Sequence, residues 1–160
     1  MKRKRETFPN LETLGRPGHI LLVEDNAADV RLTQEAMRNG TGIRATLHVV
    51  KDGEEALDFL YQRGRFTEAP RPDVILLDLN LPGKDGRQVL KEIKGDSSLL
   101  SIPVIVLSTS SSTDDVDHSY SLHANCYITK PVEFDEFQDI VRQIKECWLG
   151  VVRLPSSVAA

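Results

Sequence analysis

The chain has 160 residues, is 40% hydrophobic and 28% charged, and carries a formal net charge of −4. That length suits one domain with a single core, and no apolar run approaches the roughly 18 residues of a membrane span. No apolar segment follows the charged start Met1–Arg5. No secretory signal is therefore visible, and the cytoplasm is the expected location.

Residues 1–17 mix charge with Pro9, Gly15 and Pro17 and show no periodicity, so they read as a flexible extension. Residues 1–18 hold five Lys/Arg against two Glu. A nucleic-acid role for Lys2–Arg5 is not favoured, because no aromatic or second basic element follows. A regular alternation then begins. Ile20–Val23 is a first strand, and Asn26 caps a helix with Asp29 as a capping-box partner and Ala27, Val30 and Met37 on one face. Asn39-Gly40 stops it. Ile43, Ala45, Leu47 and Val49 alternate with polar residues, as in an edge strand. Asp52 and Glu55 open a second helix that carries Ala56, Leu57, Leu60 and Tyr61, and Gly64 ends it. A long polar link, residues 64–73, leads to the strand Val74–Leu77.

A third helix carries Val89, Leu90 and Ile93 and stops near Gly95. The strand Val104–Leu107 follows Pro103, then a helix over residues 113–123 and a fifth strand, Asn125–Thr129. The last helix begins after Pro131, with Phe137, Val141, Ile144 and Trp148 on one face. Residues 150–160 form a tail, so the folded unit is expected over 18–149. Short apolar strands alternating with helices predict an α/β fold, a doubly wound parallel sheet. The edge-like second strand selects the flavodoxin-like (βα)5 order 2-1-3-4-5. Cys126 and Cys147 have no metal spacing and read as free buried thiols. The four histidines form no ligand cluster.

Polar residues end the apolar strands. They are Glu24-Asp25 after the first, Asp78 after the third, Ser108-Thr109 after the fourth and Thr129-Lys130-Pro131 after the fifth. In a parallel sheet all lie on one rim, where ligands bind. Taken singly, each has a simpler use as a helix cap, a turn residue or a surface charge. Their joint placement favours a common site. Two carboxylates about 4 Å apart repel by about 4 kcal/mol at an effective dielectric near 20. Lys130 offsets part of that, and a divalent cation held by oxygen ligands and waters would offset more. Mg²⁺ is the better match, with Mn²⁺ as the alternative. Such a set suits phosphoryl transfer with Asp78 as nucleophile. The Lys130–Pro131 bond is expected to be cis, as part of a turn aiming Lys130 back over the rim.

Four segments together resemble a response regulator receiver domain over residues 19–149. They are Leu22-Val23-Glu24-Asp25-Asn26, Leu77-Asp78 through Asp85-Gly86, Val106-Leu107-Ser108-Thr109 and Tyr127-Ile128-Thr129-Lys130-Pro131. The resemblance implies that Asp78 is the phospho-acceptor. It implies that Glu24, Asp25, Asp78 and the Asn80 carbonyl bind Mg²⁺. Ser108 and Lys130 would contact the phosphoryl group, and Ser108 with Tyr127 would form the switch. Such a domain accepts a phosphoryl group from a sensor histidine kinase and catalyses its own phosphorylation and dephosphorylation, rather than acting as an enzyme on other substrates. The long link at 64–73 and the ending Cys147–Pro155 resemble single-domain regulators that work with phytochrome kinases.

About eleven residues follow the last helix, so no DNA-binding output domain is expected and a downstream protein would read the activated surface. Phe134, Phe137, Val141, Ile144, Trp148 and the apolar tail suggest a homodimer through that face. A phosphohydrolase of the haloacid-dehalogenase type would need an acid two residues after its aspartate, and Asn80 stands there. A phosphorylation-independent interaction module would have no need of the intact acids and Lys130.

Overall fold

A computed structural model describes residues 16–39 and 42–156. Five parallel strands form one sheet in the order β2-β1-β3-β4-β5. They are β1 (Gly18–Val23), β2 (Ala45–Val50), β3 (Val74–Leu77), β4 (Val104–Ser108) and β5 (Cys126–Thr129). Every residue of β3 and β4 is buried, which is why those strands read as unbroken apolar runs. β2 has only β1 as a neighbour, and all its residues but Val50 are incompletely buried, as in an edge strand.

Five helices cover the sheet: α1 (Ala27–Arg38), α2 (Gly53–Leu60), α3 (Gly86–Gly95), α4 (Thr113–Ser121) and α5 (Phe134–Glu146). Alternate residues of the central strands face opposite layers. Leu21, Ile75 and Val106 join Leu57, Val89 and Ile93 on one side, while Leu22, Leu76 and Ile105 join Met37, Phe137 and Val141 on the other. Burial of each such side chain contributes roughly 1.5–3 kcal/mol. The fold is the expected doubly wound (βα)5 arrangement.

Several local expectations change. Ala27 is exposed, because the first turn of α1 borders the open rim of the sheet. The link contains a 3₁₀ turn, Gly64–Phe66, that sets Phe66 edge-on against buried Phe59 with ring centroids 5.4 Å apart. Cys147 is exposed and Cys126 half-buried, and both are free. Cys147 opens the π-helical turn Cys147–Val151, six residues after inward-facing Val141 and so on the outer side of the helix. In that turn Leu149 is buried against Gly18 at the start of β1.

The histidines do not group in threes among the described residues. His19 and His48, however, meet across β1 and β2 with Nδ1 and Nε2 3.0 Å apart. Residues 1–15 of the expected extension lie outside the described residues. Arg16 forms a two-pronged ion pair with Asp73 at 2.9 Å on each arm.

The Lys130–Pro131 bond is trans, contrary to expectation. Extended backbone already aims the lysine. Its N–H donates to the Ser108 carbonyl at 2.7 Å, continuing the β4–β5 ladder, and its side chain crosses the rim without a reversing turn.

Candidate active site

The C-terminal ends of β1, β3 and β5 deliver Glu24, Asp78 and Lys130 to one open cavity of about 560 Å³. Its lining also includes Asp25, Asn26, Asp29, Asn80 and Thr109. The first turn of α1 is fixed by Asn26, whose Oδ1 accepts from Ala28 N and Asp29 N at 3.0 and 3.1 Å. The loop after Asp78 is held by α3. Gly86 N donates to the Leu79 carbonyl at 2.9 Å, and a Cβ at residue 86 would collide with the Asp78 carbonyl. Only glycine allows so close an approach there.

Lys130 Nζ donates to Glu24 Oε2 at 2.5 Å, Asp29 Oδ2 at 3.0 Å and Asp78 Oδ2 at 3.3 Å. Asp78 Oδ1 accepts from Asn80 N at 3.2 Å. Glu24, Asp78 and Lys130 are all buried, whereas Asp25 and Asn80 are exposed at the mouth. Carboxylate oxygens of Glu24, Asp25 and Asp78 lie within 4.8 Å of one another.

Three carboxylates thus converge on one ammonium group, and a fourth, that of Asp25, lies beside two of them. Burial, with help from the Asp78 charge, pushes Glu24 up to about 7 despite its bond to Lys130. Burial works to lower Lys130, but the hydrogen bond and charge of Glu24, with Asp78 and Asp29, outweigh it and raise it. Both shifts have one origin, an excess of negative charge in a poorly solvated place. That donor set, all oxygen and under-neutralised, fits a hard divalent cation.

Asp29 is the residue that sequence reasoning missed. Its spacing from Asn26 suggested a reciprocal cap, but its carboxylate turns to Lys130 instead. Ser108 reaches the rim yet faces away from the acids. It is fully buried, its Oγ accepts from Ser110 N at 3.3 Å, and exposed Thr109 lines the cavity in its place. Tyr127 is half-buried, its hydroxyl donating to the Ser110 carbonyl at 2.7 Å.

Residues 20–142 match the response regulator receiver domain family. The chain belongs to that family. It is 50% identical over 141 residues to response regulator Rcp1 of Synechocystis sp., a match spanning 88% of this chain and 95% of Rcp1. Among solved structures it is similar to the phosphorylated cyanobacterial phytochrome response regulator RcpA. That match has a TM-score of 0.84 and 53% identity, and covers 88% of this chain and all of RcpA. The Mn²⁺-bound form of Rcp1 superposes with a TM-score of 0.83 at 49% identity, covering 88% of this chain and all of that one. As a receiver domain the chain is a signalling protein, and the acid-lined cavity at the rim of its sheet is the place where a receiver holds a divalent metal.

Proposed function

We propose that this receiver domain is phosphorylated on Asp78 by a sensor histidine kinase in a Mg²⁺-dependent reaction. The convergence of Lys130 on Asp78, Glu24 and Asp29 is the observation that carries this reading. An Asp78 oxygen attacks the phosphorus of a phosphohistidine as the histidine nitrogen leaves, which gives an acyl phosphate. Lys130 moves with its ammonium group onto a phosphoryl oxygen. Ser108 turns from Ser110 N to a second oxygen, and Tyr127 swings inward behind it. Glu24, Asp25, Asp78 and the Asn80 carbonyl would hold Mg²⁺, or Mn²⁺, which would supply charge neutralisation for the transferring group. The same residues would let the domain catalyse both its own phosphorylation and its hydrolysis.

Similarity to Rcp1 and RcpA supports a phytochrome kinase as the partner. The modified protein would act in the cytoplasm on a downstream protein. No helix among the described residues is long and apolar enough to cross a membrane. A homodimer through α4, β5 and α5 is part of the proposal. Phe137, Val141 and Ile144 are taken up by the protein's own core, so its support comes from exposed Tyr120, Val132 and Phe134. A receiver core over 18–149, with residues 1–17 and 150–160 as appendages, completes the reading.

Incubation with Mg²⁺ and acetyl phosphate should add one phosphoryl group to the wild type and none to Asp78→Asn, read by intact mass. Equal labelling of both proteins, or none of the wild type, overturns the assignment. Light scattering that finds a monomer before and after modification removes the dimer.

A further inference from the structure

Ser110 is the most heavily tied residue of the loop between β4 and α4. Its N–H donates to Ser108 Oγ at 3.3 Å, its carbonyl accepts from the Tyr127 hydroxyl at 2.7 Å, and its Oγ donates to Asp115 Oδ2 at 2.5 Å. Each bond leads to a different element: β4, β5 and α4. Asp115 in turn accepts from Arg87 Nη2 at 2.7 Å through its other oxygen. Arg87 is braced by Asp85 at 3.2 Å, the residue that caps α3 in a reciprocal capping box with Gln88. Asp85 and Arg87 stand on the far side of the loop that begins at Asp78. A continuous chain of contacts therefore runs from the loop after the candidate acceptor, through α3 and α4, to the residue that holds both Ser108 and Tyr127.

The direction of its effect follows from what must move. Ser108 Oγ can reach a phosphoryl group on Asp78 only by leaving Ser110 N. Tyr127 can turn inward only by releasing the Ser110 carbonyl. Either those two bonds break with Ser110 in place or Ser110 is carried along with its partners, and its bond to the Asp115 carboxylate opposes the second, easier course. Arg87 and Asp115 side chains are 24% and 29% exposed, so water weakens the pair without erasing it. Asp115 lies below the usual carboxylate range because of its hydrogen bonds to Ser110 and Arg87, so it remains charged at neutral pH.

The geometry points to Arg87, Asp115 and Ser110 as a latch that holds the β4–α4 loop in the unphosphorylated arrangement and sets how readily the switch is thrown. None of the three touches the reacting atoms; they are positioning residues that act through Ser108 and Tyr127. The latch rests on the reading of Asp78, Ser108 and Tyr127 proposed above. It adds the residues that set the energy gap between the two arrangements.

The test uses the full chain with Mg²⁺ and beryllofluoride, a phosphoryl mimic. Amide NMR signals of Ser110 and Tyr127 report the loop, and a parallel titration measures affinity for Mg²⁺ alone. Asp115→Asn and Arg87→Gln should each bind beryllofluoride on the order of fivefold more tightly than the wild type, a coupling within the ordinary range. Mg²⁺ affinity should stay the same. The double variant should gain no more than either single one, because both break the same chain. Unchanged or weaker beryllofluoride affinity overturns the latch, as do single effects that multiply in the double variant. A wild type that binds no beryllofluoride overturns the phosphorylation reading itself and the latch with it, which separates the two failures.

Discussion

Two lysines are buried among the described residues, and their surroundings are opposite. Lys130, on the rim, is ringed by Glu24, Asp29 and Asp78, which hold its proton more tightly than usual. Lys145, in the seam between α1 and α5, donates to the carbonyls of Met37 at 3.1 Å and Asn39 at 3.3 Å, and burial makes its proton easier to lose. The second arrangement is structural. A cation at the C-terminal end of α1 satisfies carbonyls that the helix leaves unpaired and ties α5 to it. The first arrangement is under-neutralised and open to solvent at one side, which is the condition for binding a cation. A buried charge alone therefore does not mark a site. The excess of one sign around it does.

This contrast can be broken most directly at Lys130. In metal-free protein, Lys130→Met should cost about 3–5 kcal/mol, because it leaves three carboxylates without their partner. The loss relative to the wild type, measured by urea unfolding, should narrow when Mg²⁺ is added, since the variant offers a cation more uncompensated charge. A gap that Mg²⁺ leaves unchanged would mean that Lys130 is as structural as Lys145. Lys145→Met should cost less, about 1–2 kcal/mol for the unpaired carbonyls. That gap should be the same with and without Mg²⁺.

The pH dependence sharpens the comparison. The folded pKa of Lys145 lies below its ordinary value of 10.5. Between those two values the unfolded chain binds more protons, so stability from this group rises with pH. The wild type should therefore gain on Lys145→Met as pH climbs towards 10.5, measured by unfolding both proteins in parallel. A flat difference would place Lys145 in a well-solvated setting.

Arg16→Ala supplies the smallest effect. Arg16 is 40% exposed in its pair with Asp73, so its loss should cost under about 1 kcal/mol. Asp73 sits in a half-buried position that would raise its pKa. The Arg16 hydrogen bond and the His19 N–H outweigh this and hold it below the usual carboxylate range. The pair's contribution should be present above the ordinary carboxylate pKa of 3.8 and fade as pH falls through the lowered one. Acid unfolding of wild type and variant that converges at low pH is the expected result.

The strand order and the acid-bearing rim are legible in the sequence. Runs such as Val74–Leu77, short and alternating with helical segments, read as central strands, and a polar residue ending each run then lies at the same edge of a parallel sheet. Orientation was not legible. Asn26 and Asp29 have capping-box spacing, yet Asp29 turns to a lysine 101 residues further along the chain. Ser108 stands at the rim, yet Ser110 holds its hydroxyl away from the acids. Phe137, Val141 and Ile144 looked like a surplus for an interface, and the sheet absorbs them.

By itself the sequence determined the fold and the placement of Glu24, Asp25, Asp78, Ser108 and Lys130 at strand ends along one rim, because apolar periodicity and the residues that interrupt it are local properties of the chain. Tertiary structure alone decided which charges meet. It gave Lys130 three acids and Lys145 the carbonyls of Met37 and Asn39, turned Ser108 towards Ser110, and linked Arg87 to Asp115 across two helices. The physical reason is reach. A side chain's partner depends on distances between elements that the core sets, and no local pattern encodes those distances.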